Sequence, residues 1–480
     1  MTQRLERALF LHGRLRPNLL FANLLLLCIV IGLYLHLAGQ SHLWSSGTVV
    51  SHPPGANSLN SLAPINLQSP NSDAEVRRRR FDARVHEVFG IAGQAASGRS
   101  HIASEHVTRR LGINRMFQDS EALNVQARAD PPSFRWVVFT CHCAGDIGGP
   151  DCICGGLGDR LKGCVSAYYY GVFTNRAFAI SMTFPDDVRS YLVPSNLDWS
   201  LDLAKLHGRT EVTVNLIDPP DDDRALLDGP DSWNDYDVVY VRTNRDLLSK
   251  MLQNHSWQLT REKYSLQNYH RESLVGSALR TLFQASPRME HMLESIRKSI
   301  PNYRRLIKIG IQFRAGGQTG EGAFEHDTGG HRTSLDMANC FIARAVQFAL
   351  DRRLRTDEVV YFLTSDHEAI QSQMSETLND LGYKTFTTTG PLTHIDKPVH
   401  EAGDQSQEMK HRRTYIDWFL EAEMDYLVIS RSGFGETAHF YTLNPTVRIR
   451  SVENNCVFDN STDHSLWPVT SSSKGAFMTD

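Results

Sequence analysis

The sequence predicts an α/β protein in which two Rossmann-like domains face a cleft, behind an N-terminal transmembrane helix. Three observations support this prediction: a long apolar run near the N-terminus, an alternation of β-prone and helical segments after residue 133, and two apolar runs that end in anion-binding groups. Alternating strands and helices at this spacing are typical of a parallel, doubly wound sheet. Such sheets bind ligands outside the carboxyl ends of their strands.

The apolar run covers residues 19–38 and contains only two strongly polar residues. Twenty residues are enough to cross a hydrocarbon core about 30 Å thick as a helix. Four arginines and one acid precede the run, so residues 1–18 are predicted to be a cytosolic tail and the rest luminal. A cleaved signal peptide, the alternative, has an apolar region of about 7–15 residues. In a luminal chain, Asn254 and Asn460 are N-glycosylation sequons.

Residues 39–80 are rich in Ser, Asn and Pro and are predicted to be a flexible stem. The arginine run at 77–80 is interpreted as a solvated charge run, with cleavage by a basic-site protease as the alternative. Residues 81–130 are predicted to be a membrane-proximal helical region. The net charge of −4 implies no general polyanion-binding surface, so no nucleic-acid partner is expected.

The rest of the chain is predicted to form an N-terminal, acceptor-side Rossmann-like domain at 131–300 and a C-terminal, donor-binding one at 301–480. In the first domain we predict a helix at 158–174, one or two helices within 261–297, and strands at 134–140, 177–182, 211–217 and 237–242. In the second domain we predict strands at 307–314, 358–365, 383–389, 426–430 and 447–452, and helices at 335–353, 368–381, 408–422 and 435–443.

Five cysteines cluster between residues 141 and 164. Closely spaced thiolates suit tetrahedral zinc, but Cys-x-Cys pairs lack the usual zinc spacing, and an oxidising lumen favours disulfides. We therefore predict disulfides. Pairing of Cys141 with Cys154 and of Cys143 with Cys152 is one of the connectivities that the sequence leaves open. Seven cysteines follow the apolar run, so at least one thiol stays free or pairs between chains.

Three segments resemble motifs of the fucosyltransferase superfamily, which includes α1,6-, α1,2-, xyloglucan and protein O-fucosyltransferases. The glycine-rich stretch 155–163, followed by an aromatic helix, resembles the first motif. Residues 309–314, a strand that ends in an arginine, resemble the second. Asp417 and the loop 430–438 resemble the third. The three motifs stand in the family's order.

The resemblance implies a GT-B glycosyltransferase, a single-pass type II protein of the Golgi membrane that moves fucose from GDP-fucose to a glycan or glycoprotein acceptor with inversion. It implies neither a metal nor another cofactor, and the oligomeric state stays open. The residues that it assigns to donor binding are Gly156, Gly158, Asp159, Arg160, Gln312, Asp366, Asp417, Ser430, Ser432, Gly433, Phe434 and Gly435.

The chemistry of Arg314 can be argued without the family. Breaking a sugar–diphosphate bond develops negative charge on the leaving phosphate, and preorganised donors aimed at that charge are usually the largest catalytic term. Arg314 offers a planar fork at a strand end, and Ser432 lies where a helix begins and unpaired N–H groups favour an anion. A surface ion pair for Arg314 and a plain tight turn for the loop are the structural alternatives.

A base must also accept the proton of the acceptor hydroxyl. Glu321 matches the proposed base of the α1,6 branch, apart from a one-residue shift after Arg314. A solvated loop acid is one alternative, and a base at 325–327 (Glu, His, Asp) is another. Asp366 and Asp417 are expected to contact guanosine or ribose, with a helix N-cap as the alternative for Asp366. Asp-x-Asp patterns, which metal-using glycosyltransferases employ to hold a cation, occur at 221–223 and 235–237, but such short matches are common. The first lies in a Pro-rich acidic loop and is interpreted as solvated, and no metal is expected.

Two other functions stay open. Several family members have His where Gln312 stands and a second Arg where Ala315 stands, which motivates a catalytically inactive, membrane-tethered glycan-binding relative. A luminal transferase with another nucleotide donor, such as a sulfotransferase, also needs anion-binding loops, but the sequence contains no P-loop-like element.

Overall fold

The computed structural model of the chain describes residues 103–142, 154–217, 228–266, 269–315, 318–319, 322–323, 337–390, 395, 407–443, 446–452 and 455–459. All of them belong to one compact unit, residues 70–480. The predicted tail, membrane helix and stem (residues 1–80) lie outside the described residues, as do Cys143, Cys152, Glu321 and Asn460. Within the described ranges, no helix is long and apolar enough to cross a membrane.

The strands are, in chain order, β1 (Trp136–Cys141), β2 (Ala177–Met182), β3 (Leu192–Pro194), β4 (Glu211–Asn215), β5 (Val238–Arg242), β6 (Phe283–Ala285), β7 (Ile307–Phe313), β8 (Gln318–Thr319), β9 (Gly322–Ala323), β10 (Val359–Ser365), β11 (Lys384–Phe386), β12 (Tyr426–Ser430), β13 (Thr446–Val452) and β14 (Asn455–Asp459). The α-helices are α1 (Ala103–Ala129), α2 (Leu157–Phe173), α3 (Leu248–Gln253), α4 (Gln258–Lys263), α5 (Arg271–Leu282), α6 (Pro287–Ser299), α7 (Ala338–Asp351), α8 (Glu368–Asp380), α9 (Gln407–Ala422) and α10 (Gly433–Thr442). Short 3₁₀ helices cover Pro131–Ser133, Val188–Ser190, Leu203–Leu206, His255–Trp257 and Tyr303–Arg305.

The first sheet consists of four parallel strands in the order β2-β1-β5-β4. Every residue of β1 is buried, as expected for a central parallel strand covered on both faces. Helix α2 makes the crossover from β1 to β2, and its Tyr168, Tyr169 and Tyr170 are fully buried. The strands predicted in this half are confirmed to within about two residues, which is the usual uncertainty of element ends.

The second sheet has the order β11-β10-β7-β12-β13-β14. The first five strands are parallel, and β14 pairs antiparallel with β13. The alternation of strands and helices correctly predicted the parallel part. It did not predict β14, because this strand returns as a hairpin without a helical crossover. Strand β11 is shorter than the predicted strand 383–389.

The predicted helices of both halves are present, and α1 lies within the helical region predicted at 81–130. Helix α10 begins at Gly433, earlier than the predicted residue 435, because Ser432 is its N-cap. The Ser432 hydroxyl accepts a hydrogen bond from the N–H of Phe434 at 3.2 Å, which satisfies one donor of the first turn. At the other end, Leu443 terminates α10 in a left-handed conformation with φ 59°.

Helix α10, which lies between β12 and β13 of the second sheet, packs against α2 and α5, which belong to the part of the chain before residue 300. A Cβ on Gly276 of α5 would lie 1.8 Å from the carbonyl oxygen of Phe440, so the two backbones touch. The Arg280 side chain caps the end of α10 by donating to the carbonyls of Phe440 and Tyr441. Helix α10 is therefore held directly against the first half of the protein.

A disulfide joins Cys141, the last residue of β1, to Cys154, shortly before α2. The predicted Cys141–Cys154 pairing is thus confirmed, whereas Cys143 and Cys152 lie outside the described residues. Cys340 is also disulfide-bonded, and Cys164 is a free, buried thiol. The expectation of a free thiol is met by Cys164, whose pKa is raised well above its usual range by burial.

Removing this disulfide with the double substitution Cys141→Ser and Cys154→Ser is expected to lower the free energy of unfolding by about 2–4 kcal/mol, because the open loop restores entropy to the unfolded chain. Urea unfolding of the purified protein measures the change. A chelator should leave the unfolding midpoint of the wild type in place. Stoichiometric zinc, or a midpoint that moves on chelation, would contradict the disulfide assignment.

Candidate functional site

The carboxyl ends of β7 and β12 are tied together by Ser430. Its hydroxyl donates to the carbonyl of Gln312 at 3.2 Å and accepts from the N–H of Arg314 at 2.8 Å. The N–H of Ser430 donates to the side-chain oxygen of Gln312, also at 3.2 Å. Gln312 and Ser430 are buried, so this arrangement rigidly fixes the strand end from which Arg314 projects.

The loop beyond Arg314 is held by a second contact. Asp366, which follows β10, accepts a hydrogen bond from the N–H of Ala315 at 2.7 Å. The structure excludes the alternative that Asp366 is a helix N-cap, because His367 takes that position before α8. Asp366 and Ser430 therefore hold the backbone on either side of the Arg314 side chain.

The start of α10 lies beside these strand ends. A Cβ on Gly435 would stand 3.1 Å from the side-chain oxygen of Gln312 and 3.1 Å from Ile429, so the first turn packs closely on β7 and β12. The first N–H groups of a helix have no intrahelical acceptor, and the helix dipole places partial positive charge there. Ser432, Gly433 and Phe434 form this turn, which is suited to an anion.

The N-termini of α2 and α10 meet. A Cβ on Gly158, in the first turn of α2, would lie 2.1 Å from the carbonyl carbon of Gly433. A Cβ on Gly433 would lie 2.8 Å from a carboxylate oxygen of Asp159 and 3.0 Å from Nζ of Lys162. Gly156 is the N-cap of α2. The two glycine-rich stretches singled out in the sequence, one in each half, are thus in contact.

Arg160 is almost fully buried and is used within the fold. Its guanidinium donates to the carbonyls of Gly155, Phe184 and Ile395, the first at 2.7 Å and the last at 3.3 Å. These bonds join the loop before α2 to a segment of the second half. Arg160 therefore acts as a structural tie at the junction, which its position in the glycine-rich stretch does not reveal.

Asp417 lies on α9 within a buried polar network. It accepts a hydrogen bond from the hydroxyl of Thr388 and forms an ion pair with Arg413 at 3.5 Å. Burial raises the pKa of Asp417 to about 6, although Arg413 and Thr388 act in the opposite direction. One turn further along, burial also raises the pKa of Glu421 well above its usual range, and Asp417 adds to this effect. The network holds the chain after β11 against α9.

The raised pKa of Asp417 predicts a pH dependence of stability. A carboxyl whose folded-state pKa exceeds its unfolded value stabilises the fold when protonated, and this contribution is lost as pH rises from about 4 to about 6. We expect Asp417→Asn to gain about 2–3 kcal/mol relative to the wild type over that window. Thermal unfolding at several pH values measures this difference, and a difference that does not vary with pH would refute it. For the comparison variant Glu421→Gln, the gain should have the same sign and continue to higher pH.

Two further residues of this region were not predicted. Lys162 forms an ion pair with Asp159 at 3.0 Å; it lies in the glycine-rich stretch and could have been identified there. His411 of α9 lies 2.8 Å from a carboxylate oxygen of Asp186, which also accepts from the hydroxyl of Tyr191 at 2.8 Å. His411 and Asp186 stand 225 positions apart and share no motif, so nothing in the sequence pairs them.

Of the two Asp-x-Asp patterns, only the one at 235–237 lies in the described part of the chain. Among the described residues, no group of three or more His, Cys, Asp or Glu side chains could hold a metal ion. Residues 221–223 lie outside the described part of the chain. Asp237 forms an ion pair with Arg209 at 3.0 Å and accepts from the hydroxyl of Thr210 at 2.9 Å. Hydrogen bonding to Arg209 lowers the pKa of Asp237 to about 2, so its carboxylate has a structural role.

The sequon at Asn254 has a local turn conformation. The Asn254 side-chain oxygen accepts a hydrogen bond from the N–H of Ser256 at 2.9 Å and caps the short helix His255–Trp257. Asn254 is half-buried, while His255 and Ser256 are exposed. Modification of Asn254 stays a prediction.

No protein-family model matches the chain, and no curated protein matches it either. Solved structures that resemble it include a mutant of Arabidopsis thaliana FUT1 in complex with GDP, at 14% identity over 81% of this chain and 82% of that one, with a TM-score of 0.48. NodZ α-1,6-fucosyltransferase soaked with GDP-fucose shares 12% identity over 68% and 98%, with a TM-score of 0.41. POFUT1 in complex with GDP-fucose shares 11% over 67% and 99%, with a TM-score of 0.33.

Proposed function

We propose that this chain is a GT-B fucosyltransferase that transfers fucose from GDP-fucose to a glycan or glycoprotein acceptor with inversion and without a metal. The observation that carries the proposal is the contact between Gly158 and Gly433 beside the Ser430-fixed strand end of Arg314. Three sequence motifs that are far apart along the chain converge on one corner. The corner brings two helix N-termini beside the strand end that carries Arg314, a combination that suits a diphosphate.

In the proposed reaction, Arg314 and the first turn of α10 hold the diphosphate of the donor. The bond between the anomeric carbon and the phosphate oxygen breaks, and the electron pair leaves with GDP. Because negative charge grows on that oxygen, donors fixed before the reaction stabilise the transition state more than the ground state. The hydrogen bonds of Ser430 and Asp366 to the backbone around Arg314 supply this preorganisation.

The acceptor hydroxyl attacks the anomeric carbon from the opposite face and gives its proton to a carboxylate. We assign this role to Glu321, which lies shortly after Arg314 in the sequence. We assign the guanosine end of the donor to the side of the second sheet formed by β10 and α9. There Asp417 acts through Thr388, because its carboxylate is buried and bonded to that hydroxyl.

Two measurements test the function. In isothermal titration calorimetry, the protein should bind GDP. The donor site of a sulfotransferase would instead prefer the nucleotide of the sulfate donor. Incubation with labelled GDP-fucose on a glycan array should transfer label to specific glycans and identify the acceptor. Binding of GDP without any transfer would point to the inactive glycan-binding relative. Absence of GDP binding would refute the proposal.

We further propose that residues 19–38 anchor the protein in the Golgi membrane with the catalytic part in the lumen. In intact microsomes, we expect added protease to spare residues 39–480, because the arginines before the apolar run keep only the N-terminus cytosolic. Removal of N-glycans should reduce the apparent mass through Asn254 or Asn460. Digestion of the C-terminal part from the cytosolic side would contradict this topology.

A further inference from the structure

Lys162 occupies an unusual position for a lysine. Only 14% of its side chain is exposed, and Nζ lies 3.0 Å from the position that a Cβ on Gly433 would take. Gly433 is the first residue of α10, where the helix dipole disfavours a cation. Burial and the dipole both oppose a charge here.

Nearby carboxylates keep Lys162 charged. Burial alone would lower the pKa of Lys162, but Asp159, Glu436 and Asp246 outweigh it and raise the pKa above its ordinary value. Asp159 makes the direct contact at 3.0 Å, and 41% of its side chain is exposed. The exposed partner can turn towards solvent at little cost, whereas the enclosed ammonium group has little freedom to move.

The surroundings of Lys162 match the needs of a diphosphate. The ligand proposed above carries more than one negative charge, and Arg314 supplies a single cation from the second half. Lys162 approaches the same helix turn from the first half. An oxygen of the ligand near Gly433 would take the place that the Asp159 carboxylate now holds beside Nζ.

We propose that Lys162 binds the diphosphate of the donor and exchanges its ion pair with Asp159 for one with a phosphate oxygen. This inference deepens the proposed function and rests on it. It assigns Asp159 to holding Lys162 in place before the donor binds, rather than to contacting the donor. The first half of the protein thereby contributes a charge to the donor site.

Substitutions of Lys162 and of Asp159 should change the affinity for GDP in opposite directions. Lys162→Met should weaken GDP binding by about 10- to 100-fold, since one charge-assisted contact is lost. Asp159→Asn should raise the GDP affinity several-fold, because Lys162 no longer has to leave a carboxylate. A purely structural ion pair predicts instead that both variants lose stability and that neither changes the affinity for GDP.

Calorimetry with GDP and with guanosine makes the comparison, alongside thermal unfolding of each variant. The loss in Lys162→Met should appear with GDP and not with guanosine. If Lys162→Met folds poorly, Lys162→Arg still tests the proposal. It keeps the charge and should retain most of the affinity for GDP. Lys205→Met, which removes an exposed lysine of the same half, is the matched control and should bind GDP normally.

The outcomes separate the two proposals. If the wild type binds GDP and folded Lys162→Met binds it equally well, the inference about Lys162 is wrong and the proposed function stands. If the wild type binds no GDP, the proposed function fails. Titration with inorganic pyrophosphate then decides whether Lys162 binds a diphosphate at all, through the same pair of variants.

Discussion

Arg314→Ala should lower the rate of fucose transfer on the order of 10²- to 10³-fold, the loss typical of removing one preorganised donor from a developing negative charge. The effect should appear in kcat as well as in donor affinity, because the charge on the leaving phosphate grows as the bond breaks. The backbone of Arg314 is fixed by Ser430, so the substitution removes the side chain without releasing the strand end. Steady-state kinetics with labelled GDP-fucose measure both parameters.

Arg314→Lys keeps the charge but loses the planar, two-pronged geometry, so we expect it to restore little of the rate. Arg304→Ala is a matched control, since this arginine of the same half has a side chain that is 85% exposed. Its activity should equal that of the wild type. Unchanged transfer by Arg314→Ala would show that the strand-end arginine does not hold the diphosphate, and the donor site would then lie elsewhere.

Much of the fold could be predicted from local patterns of apolar and polar residues in the sequence. The runs that become β1, β10 and β12 are apolar and β-prone because both faces of a central parallel strand are buried, and this leaves a clear trace in the sequence. Their alternation with helices predicts the two parallel sheets. The antiparallel β14 leaves no such trace, since a terminal hairpin depends on pairing with β13 rather than on its own periodicity.

The site was only partly predictable, for a different reason. The sequence indicates a strand that ends at Arg314 and a helix that begins near Ser432. In the structure β7 ends one residue earlier, at Phe313, and Ser432 is the N-cap of α10. The sequence does not indicate that Gly158 touches Gly433, because this contact depends on how α2 and α10 cross. Arg160 shows the same limit. Nothing in its glycine-rich stretch indicates that its guanidinium donates to three backbone carbonyls.

Gly158→Ala is the second substitution that we expect to lower the rate of fucose transfer strongly. The added methyl group would stand 2.1 Å from the carbonyl carbon of Gly433, and ordinary contact begins at 3.4 Å, so α2 and α10 must separate by roughly 1 Å. A displacement of about 1 Å in the groups that position a substrate can cost about 10²-fold in rate. Overpacking of this kind also lowers the free energy of unfolding by about 1–3 kcal/mol. Transfer kinetics and urea unfolding of the same variant measure the two effects.

The matched control is Gly171→Ala, which makes the same change in the same helix. A Cβ there would lie 3.4 Å from the carbonyl oxygen of Arg176 and 3.6 Å from Val137, which is ordinary contact. Because alanine favours a helix interior over glycine by about 0.5–1 kcal/mol, this variant should be as stable as the wild type or slightly more so, with normal transfer. If Gly158→Ala transferred fucose as fast as Gly171→Ala, the meeting of α2 and α10 would have no part in catalysis. The donor site would then be formed by the second half alone.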